Sequence, residues 1–286
     1  MRRGLIIVSG VMFSMLASPL LSAIRYDFRQ TTRTDAQSHP SSSLVGRAVI
    51  EGEMSRVDFI SGYAHPVGSY VISKDGFRSV AIVDPSKQTY MEVDTSNVSS
   101  ALGSSKIEVA NLKTNVRKLS DRPTIAGIPA EHWVLESSYD MTVMFGTLPL
   151  KQTVHTIIDK WVTNSLGNVG ASLITADSLR TGNPELDRII ELEATKIQGF
   201  PLRQVMTIRV QNPEAQRNPS SKIQLNASRT QTSEMLVTSL QTASVDKRLF
   251  DVPATFQKVQ SSGEKEGVGV HMLNLEPAAE PQTRNR

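Results

Sequence analysis

The sequence predicts a mainly β fold of the α+β class, and three observations carry that prediction. Short runs of alternating apolar residues recur along most of the chain, bounded by Gly, Pro, Asn and Asp. Three of these runs, Tyr70 to Ser73, Ser79 to Val83 and Gln88 to Val93, are joined by connections short enough to be tight turns, which makes them an antiparallel meander. One stretch, Asn183 to Ile197, carries the full set of helix start and stop signals. Within the meander, Asp75-Gly76 suits a type I′ turn with two positive φ angles, and Asp84-Pro85-Ser86-Lys87 suits a type I turn with proline at its second position.

In chain order, Ile24 to Thr34 alternates around Tyr26 and Phe28 and reads as the first strand, followed by a polar loop from Asp35 to Ser43. Gly46 to Ile50 and Ser55 to Ile60 are strands on either side of Glu51-Gly52-Glu53. The apolar positions change face there, from Ala48 and Ile50 to Val57 and Phe59, which a hairpin or a bulge explains. After the meander, Asp94 to Ser105 spaces Val98, Ala101 and Leu102 on one helical face, but Gly103 and the neighbouring serines make it a weak helix. Ile107 to Leu119 is read as a strand, because Arg122-Pro123 and Ala126-Gly127-Ile128-Pro129 look like the turns of successive hairpins.

Glu131 to Phe145 and Lys151 to Thr163 are two further strands linked by Gly-Thr-Leu-Pro. The second puts Val154, Thr156, Ile158 and Val162 on one face and His155, Ile157, Asp159 and Trp161 on the other. In the helix, Asn183 caps the first turn and Pro184 occupies the favoured first position. Leu186, Ile189, Ile190, Ala194 and Ile197 form an apolar stripe, and Gly199 and Pro201 stop it. Leu202 to Val210, Lys222 to Thr230 and Glu234 to Ala243 return to β, with a polar turn region over Asn212 to Ser221. Phe250, Val252 and Phe256 read as a closing packing segment, and the polar composition from Gln260 onward predicts a disordered tail.

The 286 residues open with Arg2-Arg3 and a mostly apolar run from Leu5 to Leu21, ending in Leu21-Ser22-Ala23. That is the pattern of a secretory signal peptide over residues 1–23, interrupted by Ser9, Gly10, Ser14 and Pro19 and therefore a poor permanent anchor. The expected product is a periplasmic protein without an integral membrane span. There is no cysteine, so disulfides, thiolate metal sites and lipid-modified cysteines are excluded. Without Arg2 and Arg3 the basic residues number 29 against 28 acidic ones, and no run of like charge stands out. Nucleic-acid binding needs a concentrated basic face, so it is not expected.

No catalytic motif is present: no Gly-x-Ser-x-Gly, no phosphate loop, no dinucleotide fingerprint. The five histidines are scattered and lack a metal-ligand spacing. The reading is therefore non-enzymatic, with no cofactor and no metal. Trp133 and Trp161, on neighbouring predicted strands, either line a cavity or belong to the core.

Five stretches carry a family resemblance: Ser55 to Phe59, Tyr70 to Gly76, Ile82 to Tyr90, Thr124 to Ala130 and Val245 to Ala254. Together they resemble the LolA/LolB-like superfamily of secreted bacterial, lipoprotein-carrier-like domains, over residues 26–258. The resemblance implies one domain over 24–258, with 259–286 as tail, folded as a curved antiparallel sheet or incomplete β-barrel covered by short helices. It also implies an apolar cavity of the kind that holds lipoprotein acyl chains. Only 5 % of this chain is aromatic, so such a cavity would be lined mainly by Val, Ile, Leu and Met. The candidates for lining it are Trp133, Trp161, Leu186, Ile189 and Ile190. The expected function is a carrier for a lipid or lipoprotein acyl chain. The alternative is an envelope structural or adaptor protein with a filled core and a protein partner, and an enzyme comes third.

Overall fold

The computed structural model describes residues 23–35, 42–62, 66–95, 107–145, 148–166, 183–212 and 228–260. The expected leader, the weak helix after the meander, nearly all of the polar region from Asn212 to Ser221 and the tail beyond Gln260 lie outside the described residues.

Twelve strands form one sheet. In chain order the elements are β1 (Ala23–Thr34), β2 (Ser42–Glu51), β3 (Met54–Ser61), β4 (Tyr70–Ser73), β5 (Ser79–Asp84), β6 (Thr89–Asp94), β7 (Ile107–Lys118), β8 (Thr124–Ile125), β9 (Ile128–Pro129), β10 (Glu131–Phe145), β11 (Leu148–Thr163), α1 (Pro184–Lys196), β12 (Phe200–Gln211), β13 (Ser228–Ala243) and β14 (Gln257–Lys258). The sheet runs β14-β6-β5-β4-β3-β2-β1-β13-β12-β11-β10-β7, and β8 and β9 pair separately as a small hairpin. Every pairing is antiparallel except the short one between β14 and β6. The sheet is curved and does not close into a barrel. Two wings meet at β1 and β13: β1 to β6 form the first, and β13, β12, β11, β10 and β7 the second.

The local signals place most elements, and the differences have local causes. At Glu51-Gly52-Glu53 the choice resolves to a hairpin: Glu51 pairs with Met54, and Gly52 adopts φ 60°. Between β4 and β5 the left-handed residues are Gly76 and Phe77 rather than Asp75 and Gly76. Asp75 is held instead as an acceptor, taking hydrogen bonds from Ser79 N, Ser79 Oγ and Ser73 Oγ, while Phe77 is buried in the core. The turn after β5 closes one residue later than expected, with Gln88 N donating to the Pro85 carbonyl, because the Asp84 carboxylate accepts from Ser86 N and Lys87 N. The two-residue turn with paired positive φ occurs at Ala126-Gly127, between β8 and β9. Arg122-Pro123 makes no hairpin of its own: Lys118 on β7 pairs with Trp133 on β10, so the β8–β9 hairpin is an insertion between paired strands. Lastly, the expected run from Lys222 to Thr230 lies outside the described residues over 222–227, and its end is continuous with the next run in the 16-residue β13. The polar Gln231-Thr232-Ser233 stretch pairs with both β1 and β12, so the ladder continues through it.

Cross-strand pairing fixes the faces, since directly paired residues share a side. Tyr26, Ala48, Val57, Val71 and Ile82 form one continuous row, and Phe28, Gly46 and Phe59 another. These rows are the heart of the largest buried cluster, which extends to Phe200, Leu202, Met235 and Val237 and against which Ile125 and Ile128 of the small hairpin pack. Gly46 is required there: a Cβ at that position would stand 2.6 Å from the Phe28 ring. On the opposite face of the first wing, Val49, Tyr70, Ile72 and Val83 pack against the segment after β13, where Phe250 is fully buried and Leu249, Val252 and Phe256 surround it. Arg56 pins that segment: its guanidinium lies 3.7 Å over the Tyr70 ring, is held by Asp58 and donates to the Leu249 carbonyl.

The candidate binding face of the second wing

A single row of paired residues, Thr32, Ser233, Met206, Ile158, Leu135 and Val116, crosses the whole second wing on the face that carries Phe28. Toward the open end of the strands the same face continues through Val154 and Val210, then Met141 and Val109, then Val143 and Leu150. Of these, Leu135, Val154 and Ile158 are buried, while Val109, Met141, Val143, Leu150 and Val210 are only half-buried. An apolar sheet face left in this state is an unfilled binding surface in physical terms, because apolar area in contact with water is the area a ligand gains by covering.

The cover over this face is α1. Asn183 caps it by accepting hydrogen bonds from Glu185 N and Leu186 N, and its amide donates to the Ile107 carbonyl on β7, which ties the helix start to the sheet edge. Ile189 packs against the cluster of Leu135, Ile158, Val162 and Ile197. None of the 13 helix residues is buried. The helix is thus laid on the sheet without being sealed to it.

The structure brings four of the five candidate lining residues to this region and sends the fifth elsewhere. Trp133 and Ile189 pack against the same cluster, and Leu186 and Ile190 are half-buried on the same helix. Trp161 faces the other way, since Trp133 pairs with Lys160 and Trp161 with His132. It packs against the largest core cluster, stacks on the His132 ring at 4.1 Å, and has the Arg203 guanidinium 4.6 Å from its centroid. His132 in turn sets Nδ1 3.0 Å from Asp121 and Nε2 3.0 Å from Asp159. This group clamps the chain that follows β7 onto the strands of the second wing.

Charge appears on the candidate face at both ends: Arg229 pairs with Val210 at the open end, and two lysines stand at the other. Lys160 is buried, and its Nζ lies 2.7 Å from the Glu193 carboxylate of α1. Beside it, Lys118 lies 5.3 Å from the Trp133 ring centroid and pairs with Glu131, holding that carboxyl below the usual range. Neither lysine carried a signal in the sequence beyond its place in a strand. At the sheet edge, where β7 carries one extra residue opposite Tyr139, an open cleft of about 390 Å³ is lined by Asn111, Leu112, Lys113, Ser138, Tyr139 and Asp140. Burial raises the Tyr139 hydroxyl, and hydrogen bonds from Asn111 and Thr153 hold Asp140 low. This cleft is mostly polar and borders the apolar surface through Tyr139, which pairs with Val154.

No protein-family model matches the sequence, and no curated protein is significantly similar to it. Among solved structures, the chain is similar to the crystal structure of a LolA superfamily protein from Nitrosomonas europaea. The two share 9 % identity with a TM-score of 0.31, over 81 % of this chain and 90 % of that one. A likeness of that degree assigns no function.

Proposed function

We propose that the chain is a non-enzymatic, periplasmic carrier that accepts an acyl chain between α1 and the apolar face of the second wing. The observation that carries this reading is the pairing of a half-buried apolar sheet face with a covering helix that buries none of its own residues. An acyl chain sliding under α1 gains about 0.8 kcal/mol for each CH₂ removed from water, enough for reversible carriage over a dozen carbons. The helix, anchored at Asn183 and Ile197, needs only to tilt. The signal-like start and the motif resemblance to lipoprotein-carrier-like domains support the periplasmic assignment and the class of ligand.

Thermal unfolding tests the reading, because a ligand that binds only the folded state raises Tm by linkage. Long-chain acyl ligands should raise Tm and short, water-soluble ones should not, and Leu186→Trp should reduce the rise by filling the space. Absence of any chain-length dependence would overturn the carrier. One observation favours the adaptor reading in that event: β7 ends the sheet with a 12-residue strand, an edge able to take an extended segment of a protein partner.

A further inference from the structure

We propose that the ligand of the second-wing face is a long-chain carboxylate, and that Lys160 is the residue that takes its head group; this rests on the carrier reading above. Lys160 sits near the C-terminal end of β11 between Ile158 and Val162, 3 % exposed, on the apolar side of the strand. Its cross-strand neighbours are Trp133 and Gln204, neither of which can neutralise an ammonium. The counter-charge comes from the cover: Glu193 on α1, at 2.7 Å. The sheet therefore owns a buried cation whose ion-pair partner Glu193 belongs to the element that must move aside for a ligand. A buried charge left without a partner is strongly unfavourable, whereas exchanging one carboxylate for another conserves the pair. A neutral chain entering under α1 would strand Lys160, while a chain ending in a carboxylate replaces what it displaces.

Trp133 adds a second donor. Its Nε1 is buried and forms no hydrogen bond of normal geometry, and Lys118 is the chief cause that holds the neighbouring Glu131 carboxylate below its usual range. Trp133 lies directly opposite Lys160 in the β10–β11 ladder, so the two side chains leave neighbouring strands on the same face. Lys118, the other cation at this end, is already paired with Glu131, its neighbour on the sheet.

The test compares palmitate with hexadecanol, which has the same chain and no charge, by direct measurement of Kd on the mature protein. Palmitate should bind at least about tenfold more tightly, the usual range for a charge-assisted bond. In Lys160→Met the two should bind alike, with hexadecanol bound at least as tightly as by the unmodified protein, since no ammonium is left to strand. Glu193→Gln removes the internal competitor, leaves Lys160 in place and should tighten palmitate relative to hexadecanol. Equal binding by the unmodified protein, a preference that survives Lys160→Met, or a Glu193→Gln variant with an unchanged ratio would each overturn the head-group assignment while leaving the acyl site standing. Failure of both compounds to bind the unmodified protein would overturn the carrier reading as well.

Discussion

The two wings of the sheet are made of the same kind of strand and are finished differently. In the first wing the Phe28 face is filled by ring-to-ring packing, with Tyr26 5.2 Å from Phe200, and the opposite face is plugged by Phe250 and its neighbours. In the second wing, among the described residues, the Phe28 face is covered by one helix none of whose residues is fully buried, and the opposite face carries ion pairs such as Arg203–Glu234 and Arg117–Glu136. The difference teaches that stability and access have been assigned to separate halves of one ladder. A sheet closed on both sides can hold its shape while its continuation keeps an openable surface, because the hydrogen-bonded strands transmit rigidity across β1 and β13 without any cover being needed there.

The sharpest way to break this comparison is to remove one anchor from each cover. Phe250→Ala should cost about 3–5 kcal/mol, as for a fully buried aromatic, and Ile189→Ala only about 1 kcal/mol, both read by denaturant unfolding. Similar losses would mean that α1 seals its wing as firmly as the closing segment seals the other. Next in size, Gly46→Ala drives a methyl into the Phe28 ring and should cost about 1–3 kcal/mol through overpacking. A neutral outcome would show that the first-wing core has slack after all. The smallest effect concerns acid. Burial pushes Asp75 up, but the hydrogen bonds from Ser79 and Ser73 outweigh it and hold its carboxyl below the usual value. Its contribution is therefore present above the unfolded value of about 3.9 and lost as pH falls through the lower folded value. Asp75→Asn should cost about 1 kcal/mol or less at neutral pH and flatten the acid limb of the stability profile below about pH 4. An unaltered limb would place the acid sensitivity outside the β4–β5 turn.

Much of this architecture was legible in the sequence because its causes are local. The cap at Asn183, the stop at Gly199 and the meander from Tyr70 to Val93 depend on neighbours a few residues away. What the sequence withheld was register. Alternation alone groups Trp161 with His155, Ile157 and Asp159, but whether that group shares a face with Trp133 depends on how β10 meets β11, and a slip of one residue reverses the answer. The same register creates the Asp121–His132–Asp159 clamp and the Lys160–Glu193 pair, whose members are far apart in the chain. The β4–β5 turn was misjudged for a different reason: Asp75 is a good left-handed residue in isolation, yet three local donors recruit its side chain and pass the positive φ to Phe77, whose ring the core rewards.

The first strand and the last long strand lie side by side at the centre of the sheet: Ala23 pairs with Ala243, and the touching side chains of Gln30 and Ser233 are 203 positions apart. Until β13 has been made, β1 has a neighbour on one side only, and neither wing can be joined to the other. Assembly by such distant pairing belongs to the slow end of folding, milliseconds to seconds, because the loop must close before its contacts repay the lost freedom. The joining of the two wings therefore waits for the last long strand to be synthesised, however early the first wing pairs within itself.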